Sequence, residues 1–152
     1  MKKGLELRIS FEPHNDGPKQ FVINGVDNYN IATTGLPAYY PVQYYLRSAD
    51  DEVLGGVIGL IWGEWLHVSY VWVADAARGR GHARAMVSAA EAYAKSRGCR
   101  GAYLETFSFQ ARPLYEKLGY TLIGEIADFP PGHKFFFMKK EFERPHPSTG
   151  SG

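Results

Sequence analysis

The sequence has a single cysteine, Cys99, among 152 residues, which rules out an internal disulfide and any multi-cysteine metal site. It has no long apolar run. Stretches such as Val57–Trp62 fall far short of the roughly 18 residues that span a bilayer. It has no excess of either charge: 17 basic against 16 acidic residues leave a formal charge of +1. A broad nucleic-acid or anionic-membrane surface, which would show as a basic surplus, is therefore not expected. Met1-Lys2-Lys3 is basic but no apolar segment follows, so no signal peptide is apparent. Repeats are also lacking. What remains is a globular composition, 45% hydrophobic and 22% charged, in a chain of one-domain length. The expectation is a soluble, cytoplasmic domain without a metal over residues 1–143. Residues 144–152 (RPHPSTGSG) read as a flexible tail, with an appended Ser-Gly end.

The hydrophobic period changes along the chain. Leu5, Leu7, Ile9 and Phe11 alternate with polar residues, the pattern of a half-buried strand. Residues 13–40 are rich in Asn, Asp, Gly and Pro, with a short helix expected around Phe21–Ala32. Val42–Leu46 and Val53–Trp62 read as a hairpin turning at Ala49-Asp50-Asp51. In the next strand, Trp65–Val73, simple alternation puts Leu66, Val68, Tyr70 and Trp72 on one face and His67, Ser69, Val71 and Val73 on the other. A strong helix follows, with Ala83, Val87, Ala90 and Ala94 on its apolar face. Arg84, Ser88, Glu91 and Lys95 share its opposite face, Glu91 and Lys95 as an i,i+4 pair, and Gly98 supplies the stop. A strand at Ala102–Phe107, a helix near Gln110–Leu118, and strands at Tyr120–Ile126 and His133–Phe142 complete the reading. Strands paired first by turns and then through helices imply an α/β (α+β) fold with a mixed sheet.

The segment that carries chemistry is Tyr70–Met86 (YVWVADAARGRGHARAM). A strand ends at Val73, and Arg78-Gly79-Arg80-Gly81-His82-Ala83 opens the strongest helix. Free N–H groups and a partial positive charge make a helix N-terminus an anion site, and glycines let a ligand approach the backbone. Arg78, Arg80 and Arg84 add charge for phosphates. A Walker loop would need Gly-Lys-Ser/Thr, and Gly81-His82-Ala83 is not that. A dinucleotide fingerprint starting at Gly79 would need glycine or alanine where Arg84 stands.

The segment instead resembles the pyrophosphate motif Q/R-x-x-G-x-G/A of the GNAT superfamily of acyl-CoA-dependent N-acetyltransferases, met at every constrained position by Arg78–Ala83. A second family motif, N-x-x-A-x-x-L-Y followed by E-K-x-G-F/Y, is matched by Ser108–Tyr120 (SFQARPLYEKLGY), with Ser108 in place of the asparagine. Within the superfamily, TFSFQARPLYEKLGY followed by DFPPGH looks like a small bacterial subgroup. The resemblance implies a single-domain fold, its mostly antiparallel sheet splayed at a central parallel pair with helices on both faces. It implies acetyl-CoA as cosubstrate, pantetheine bonded by the backbone of Trp72 and Val73, and pyrophosphate held by Arg78, Gly79, Arg80, Gly81, His82, Ala83 and Arg84. Ser108 falls where the family often contacts the pantetheine arm, and Tyr115 where many members protonate the departing thiolate.

An alkylamine of pKa near 10.4 is protonated at neutral pH, and exposing its lone pair there costs about 4.6 kcal/mol. A base must help. Glu105 lies in mid-strand beside the point where the parallel strands should part, His67 on the strand before it, and His133 follows the rigid Asp128-Phe129-Pro130-Pro131-Gly132 turn. The expected activity is direct acetyl transfer to a primary amine of a small molecule or peptide, with Tyr115, Glu105 and His133 as catalytic residues. A homodimer is allowed. The alternatives are a non-catalytic acyl-CoA-binding protein and a nucleotide-binding regulator using the same loop.

Overall fold

The computed structural model of the chain describes residues 4–143; the reading of residues 144–152 as a tail lies outside them. The described residues fall into two compact units divided after residue 38.

In the first unit, helix α1 spans Asp16–Thr34, longer at both ends than the expected Phe21–Ala32. Asp16 sits in its positive first turn, and Gly35 (φ 70°) closes it in the left-handed conformation, its N–H donating to the Ile31 carbonyl at 2.8 Å. The strand expected at Leu5–Phe11 does not form: these residues carry no secondary structure, with Leu5 88% and Phe11 91% exposed. Alternation records an amphipathic segment, but a strand also needs a neighbour to satisfy its backbone.

The second unit is a six-stranded mixed sheet with two helices. Its strands are β1 (Tyr40–Arg47), β2 (Val53–Trp62), β3 (Trp65–Val73), β4 (Gly101–Phe107), β5 (Thr121–Ala127) and β6 (Lys134–Glu141), in the order β1-β2-β3-β4-β6-β5. Every pair is antiparallel except β3 with β4. Helix α2 (His82–Ser96) crosses over between those two, and α3 (Arg112–Lys117) follows β4. Met86, Val87, Ala90 and Ala94 of α2 pack with Val57, Leu66, Val68, Leu104 and Met138 of the sheet in one core. Fully burying such an aliphatic side chain is worth about 1.5–3 kcal/mol.

Two expectations about faces are corrected here. First, β3 does not alternate throughout. Gly59 of β2 lies opposite Val68 and Ile58 opposite Tyr70, so Ser69 is an extra residue in a β-bulge. The phase reverses there: Leu66 and Val68 are buried before it and Val73 after it, whereas Tyr70 and Trp72 are exposed. Gly59 permits this geometry, since a Cβ there would collide with the His67 carbonyl. Second, Glu91 does not share a solvated face with Lys95. It is buried, accepting hydrogen bonds from Lys140 Nζ at 2.6 Å and the Tyr120 hydroxyl at 2.9 Å, while Lys95 lies 5.0 Å over the Phe142 ring. Partners 49 and 29 residues away are invisible to a helical wheel.

Candidate active site

The bulge and the short parallel register together open the sheet. β3 and β4 pair only from Trp65–Val68 to Gly101–Leu104. Beyond that β4 stays with β6 through Phe107 and β3 stays with β2 through Val73, so the strands part. The gap is a cleft of about 580 Å³, lined by Ser69, Val73, Glu105, Phe109 and Tyr115 among others.

The β3 edge of the cleft carries unpaired peptide groups. The Ala74 N–H donates to the Leu54 carbonyl at 2.7 Å. By antiparallel alternation Trp72, in phase with Ala74, turns its N–H toward β2, while Val71 and Val73 turn theirs toward the open side. The Val73 carbonyl accepts from Arg78 Nε at 2.9 Å, and Arg78 Nη1 is 2.7 Å from Asp75. Arg78 is thus a strap across the strand end as much as a free cation.

The floor passes from there to the start of α2. Gly79 and Gly81 have φ of 76° and 80°, a conformation that favours glycine. The first helical bond runs from the Ala85 N–H to the Gly81 carbonyl at 3.0 Å, and no side chain caps the helix. The N–H groups of His82, Ala83 and Arg84 therefore lack intrahelical acceptors. They border a hollow of about 200 Å³ that shares Val73, Arg78, Ala83 and Leu114 with the larger cleft. Arg80 and Arg84 lie exposed beside it. The arrangement offers strand-like pairing at one end and a phosphate-sized ring of donors at the other.

At the far wall, Tyr115 of α3 is buried yet lines the cleft. Burial pushes its phenol above the usual tyrosine range, which keeps the proton on the oxygen and available for donation. Glu105 lines the same cleft, its Oε2 2.7 Å from His67 Nε2. His133 is exposed, with its ring 4.9 Å edge-on from that of Phe109, and is not among the cleft-lining residues. Ser108 uses its hydroxyl locally: Oγ accepts from the Lys134 N–H at 2.9 Å, and the Ser108 N–H donates back to the Lys134 carbonyl at 2.8 Å. Among the polar cleft residues, Ser69 and Gln110 were not singled out from the sequence. Ser69 stood on the His67 face with nothing to mark it. Gln110, whose Oε1 accepts from the Phe107 N–H at 3.0 Å, gave no signal separable from its motif. No cluster of His, Cys, Asp or Glu that could hold a metal occurs among the described residues. No helix among them is long and apolar enough to cross a membrane.

A splayed parallel pair, with a glycine-marked helix N-terminus beneath it, defines an α+β fold whose mixed sheet opens into a cleft at its centre. A family model described as the Acetyltransferase (GNAT) family matches residues 10–120, and the chain belongs to that family. It is 41% identical over 105 residues, covering 66% of this chain and 77% of the relative, to a blasticidin-S acetyltransferase from Streptomyces morookaense. It is 34% identical over 114 residues to the acetyltransferase Atu2258 of Agrobacterium fabrum, covering 75% and 83% of the two chains. An acetyltransferase crystal structure from Bacillus cereus superposes with a TM-score of 0.78 at 29% identity, over 88% of this chain and 98% of that one. The fold is shared with an aminoglycoside 6′-N-acetyltransferase complexed with coenzyme A, at 18% identity and a TM-score of 0.61, over 69% and 75% of the chains.

Proposed function

We propose that this protein transfers the acetyl group of acetyl-CoA directly to a primary amine of a small molecule. The observation that carries the reading is the continuous run from the unpaired Val71 and Val73 edge of β3 to the uncapped start of α2. It supplies peptide groups for the pantetheine amides at one end and the N–H groups of Gly79–Arg84 for the pyrophosphate at the other. Val73 N–H is also aimed to polarise the thioester carbonyl. Acetyl-CoA brings the activated acyl group; the chain's own residues orient it and move protons. Tyr115 donates its proton to the departing thiolate. Base function falls on Glu105, which lines the cleft, and on His67 bonded to it. Blasticidin S is the first acceptor to try, because a relative of 41% identity is named for it.

The test sets acetyl-CoA, free CoA, ATP and NAD side by side in a thermal-shift assay. Ligand at about 100 times its Kd should add about 2.7 kcal/mol, or roughly 5–10 °C in a domain of this size. A shift with ATP or NAD and none with CoA would overturn the cofactor assignment. Tyr115→Phe should lower turnover at least tenfold while leaving acetyl-CoA affinity nearly intact. Unchanged turnover removes the general-acid role, and binding without turnover of any amine leaves a non-catalytic CoA-binding protein.

A further inference from the structure

Behind Glu105 lies a hydrogen-bonded chain longer than the reaction minimally needs. His67 Nε2 is 2.7 Å from Glu105 Oε2, and His67 Nδ1 is 3.3 Å from Ser69 Oγ. The imidazole stacks on Tyr103 with centroids 4.6 Å apart and planes within 7°, so its plane is held. The side chains of His67 and Glu105 are 23% and 28% exposed. Glu105 and Tyr103 are the titratable groups that face His67 from β4; on β2 the register sets Leu60 opposite. Glu105 and Ser69 both line the cleft, while His67 bridges them from behind. Alternation sets Ser69 on the His67 face, and the bulge leaves Ser69 without a partner on β2.

We propose that the acceptor amine loses its proton through Ser69 to His67, with Glu105 as the counter-ion that holds His67 in place. This rests on the acetyl-transfer reading. A carboxylate can only accept a hydrogen bond, so Nε2 carries the proton of neutral His67 and Nδ1 holds the lone pair toward Ser69. During transfer the amine nitrogen bonds to the thioester carbon and the C–S bond breaks. The sulfur leaves with that electron pair and takes the Tyr115 proton. The ammonium proton passes to Ser69 Oγ as the Ser69 hydroxyl proton passes to Nδ1, leaving an imidazolium beside the Glu105 carboxylate. The nitrogen, cationic once it has bonded to the carbonyl carbon, gives up its second proton to solvent as the amide forms. Solvent also removes one proton from His67 and returns one to Tyr115, so one proton is released per turnover and the protons balance. His67 is a positioned base acting through Ser69, and Glu105 positions it in turn.

Two measurements decide the proposal. Long-range proton–nitrogen spectra of imidazole-labelled protein at pH 8 should show His67 as the Nε2-protonated tautomer; an Nδ1-protonated His67 overturns the relay whatever the turnover. Steady-state kinetics then compare Ser69→Ala, Ser69→Thr and His67→Gln with wild type, using blasticidin S or the first amine accepted from a primary-amine panel. Glutamine keeps a donor toward Glu105 but takes up no proton. Ser69→Ala and His67→Gln should each lower kcat at least tenfold, with KM for acetyl-CoA within twofold. Both should also lose the acid limb of the kcat–pH profile, whereas Ser69→Thr should restore rate and profile to within about threefold. Wild-type rates and profiles in Ser69→Ala and His67→Gln overturn the relay and leave acetyl transfer standing. If wild type binds acetyl-CoA yet acetylates no amine, acetyl transfer itself fails and takes the relay's proton source with it.

Discussion

Replacing Lys140 by methionine tests what the buried carboxylate of Glu91 does for the second unit. The Glu91 side chain is 5% exposed and has two partners, Lys140 Nζ at 2.6 Å and the Tyr120 hydroxyl at 2.9 Å. Lys140→Met keeps most of the apolar stem but leaves a buried anion with one neutral donor. Breaking a buried pair this way costs about 3–5 kcal/mol. The lower end applies, because the Lys140 side chain is 23% exposed and water reaches the vacated position. A loss of about 3 kcal/mol corresponds to roughly 6–12 °C in midpoint. Urea unfolding followed by tryptophan fluorescence gives the free energy, and a thermal scan checks it. The double variant Glu91→Leu/Lys140→Met removes the stranded charge along with its partner and should recover to within about 2 kcal/mol of wild type. A single variant within about 1 kcal/mol of wild type, or a double variant no better than the single, would refute the account of Glu91 as a paired interior charge.

The same cluster predicts an alkaline limb. Burial, and then the neighbouring Glu91 charge, raise the Tyr120 phenol above its usual range, and burial raises Tyr115 as well. The folded state therefore holds protons that the unfolded chain releases. Stability should be level below about pH 10 and fall above it by about 1.4 kcal/mol per pH unit for each such tyrosine. Urea midpoints from pH 8 to 11.5 should show the fall, and Tyr120→Phe should make it shallower; a flat wild-type profile contradicts the assignment. Gly59→Ala forces a methyl group into the His67 carbonyl and should destabilise by about 1–3 kcal/mol, read as a lower urea midpoint. An alanine accepted there without loss would mean that the bulge does not depend on the close approach of β2.

Sequence patterns reached furthest where neighbours in the chain are also neighbours in space. The apolar stripe of α2, the hairpin turn at Asp51 (φ 67°) and the stop at Gly98 (φ 83°) are local events, and each lies where its pattern put it. The glycine-marked loop before His82 was legible for the same reason. Long-range pairing was not. Leu5–Phe11 alternates as a strand would but carries no secondary structure among the described residues, and nothing in those residues encodes that. Glu91 looked solvated because Lys140 and Tyr120 arrive from β6 and the start of β5. At the site, Glu105 and Tyr115 face the cleft as their positions suggested, and His133 belongs to a neighbouring aromatic cluster. Alternation put Ser69 on the His67 face, but the phase reversal after it escaped notice because a bulge is specified by the facing strand, here by Gly59, and not by the residue that bulges.

The extra residue in β3 also restricts how the gene can change length. The turn Gly63-Glu64 between β2 and β3 is open to insertion, since both strands keep their register above it. Loss of the Ser69 codon alone would restore strict alternation and leave every other residue of β3 on its present face, opposite its present β2 partner. Loss of a second codon beside it would swing Trp72 into the core while Val71 and Val73 turned out of it. That slip would also exchange the peptide groups aimed at β2 with those aimed at the cleft. In any set of related chains, gaps should therefore collect at residues 63–64, with single-residue gaps at 69, and two-residue gaps should be missing from residues 66–73 even where the side chains there vary freely.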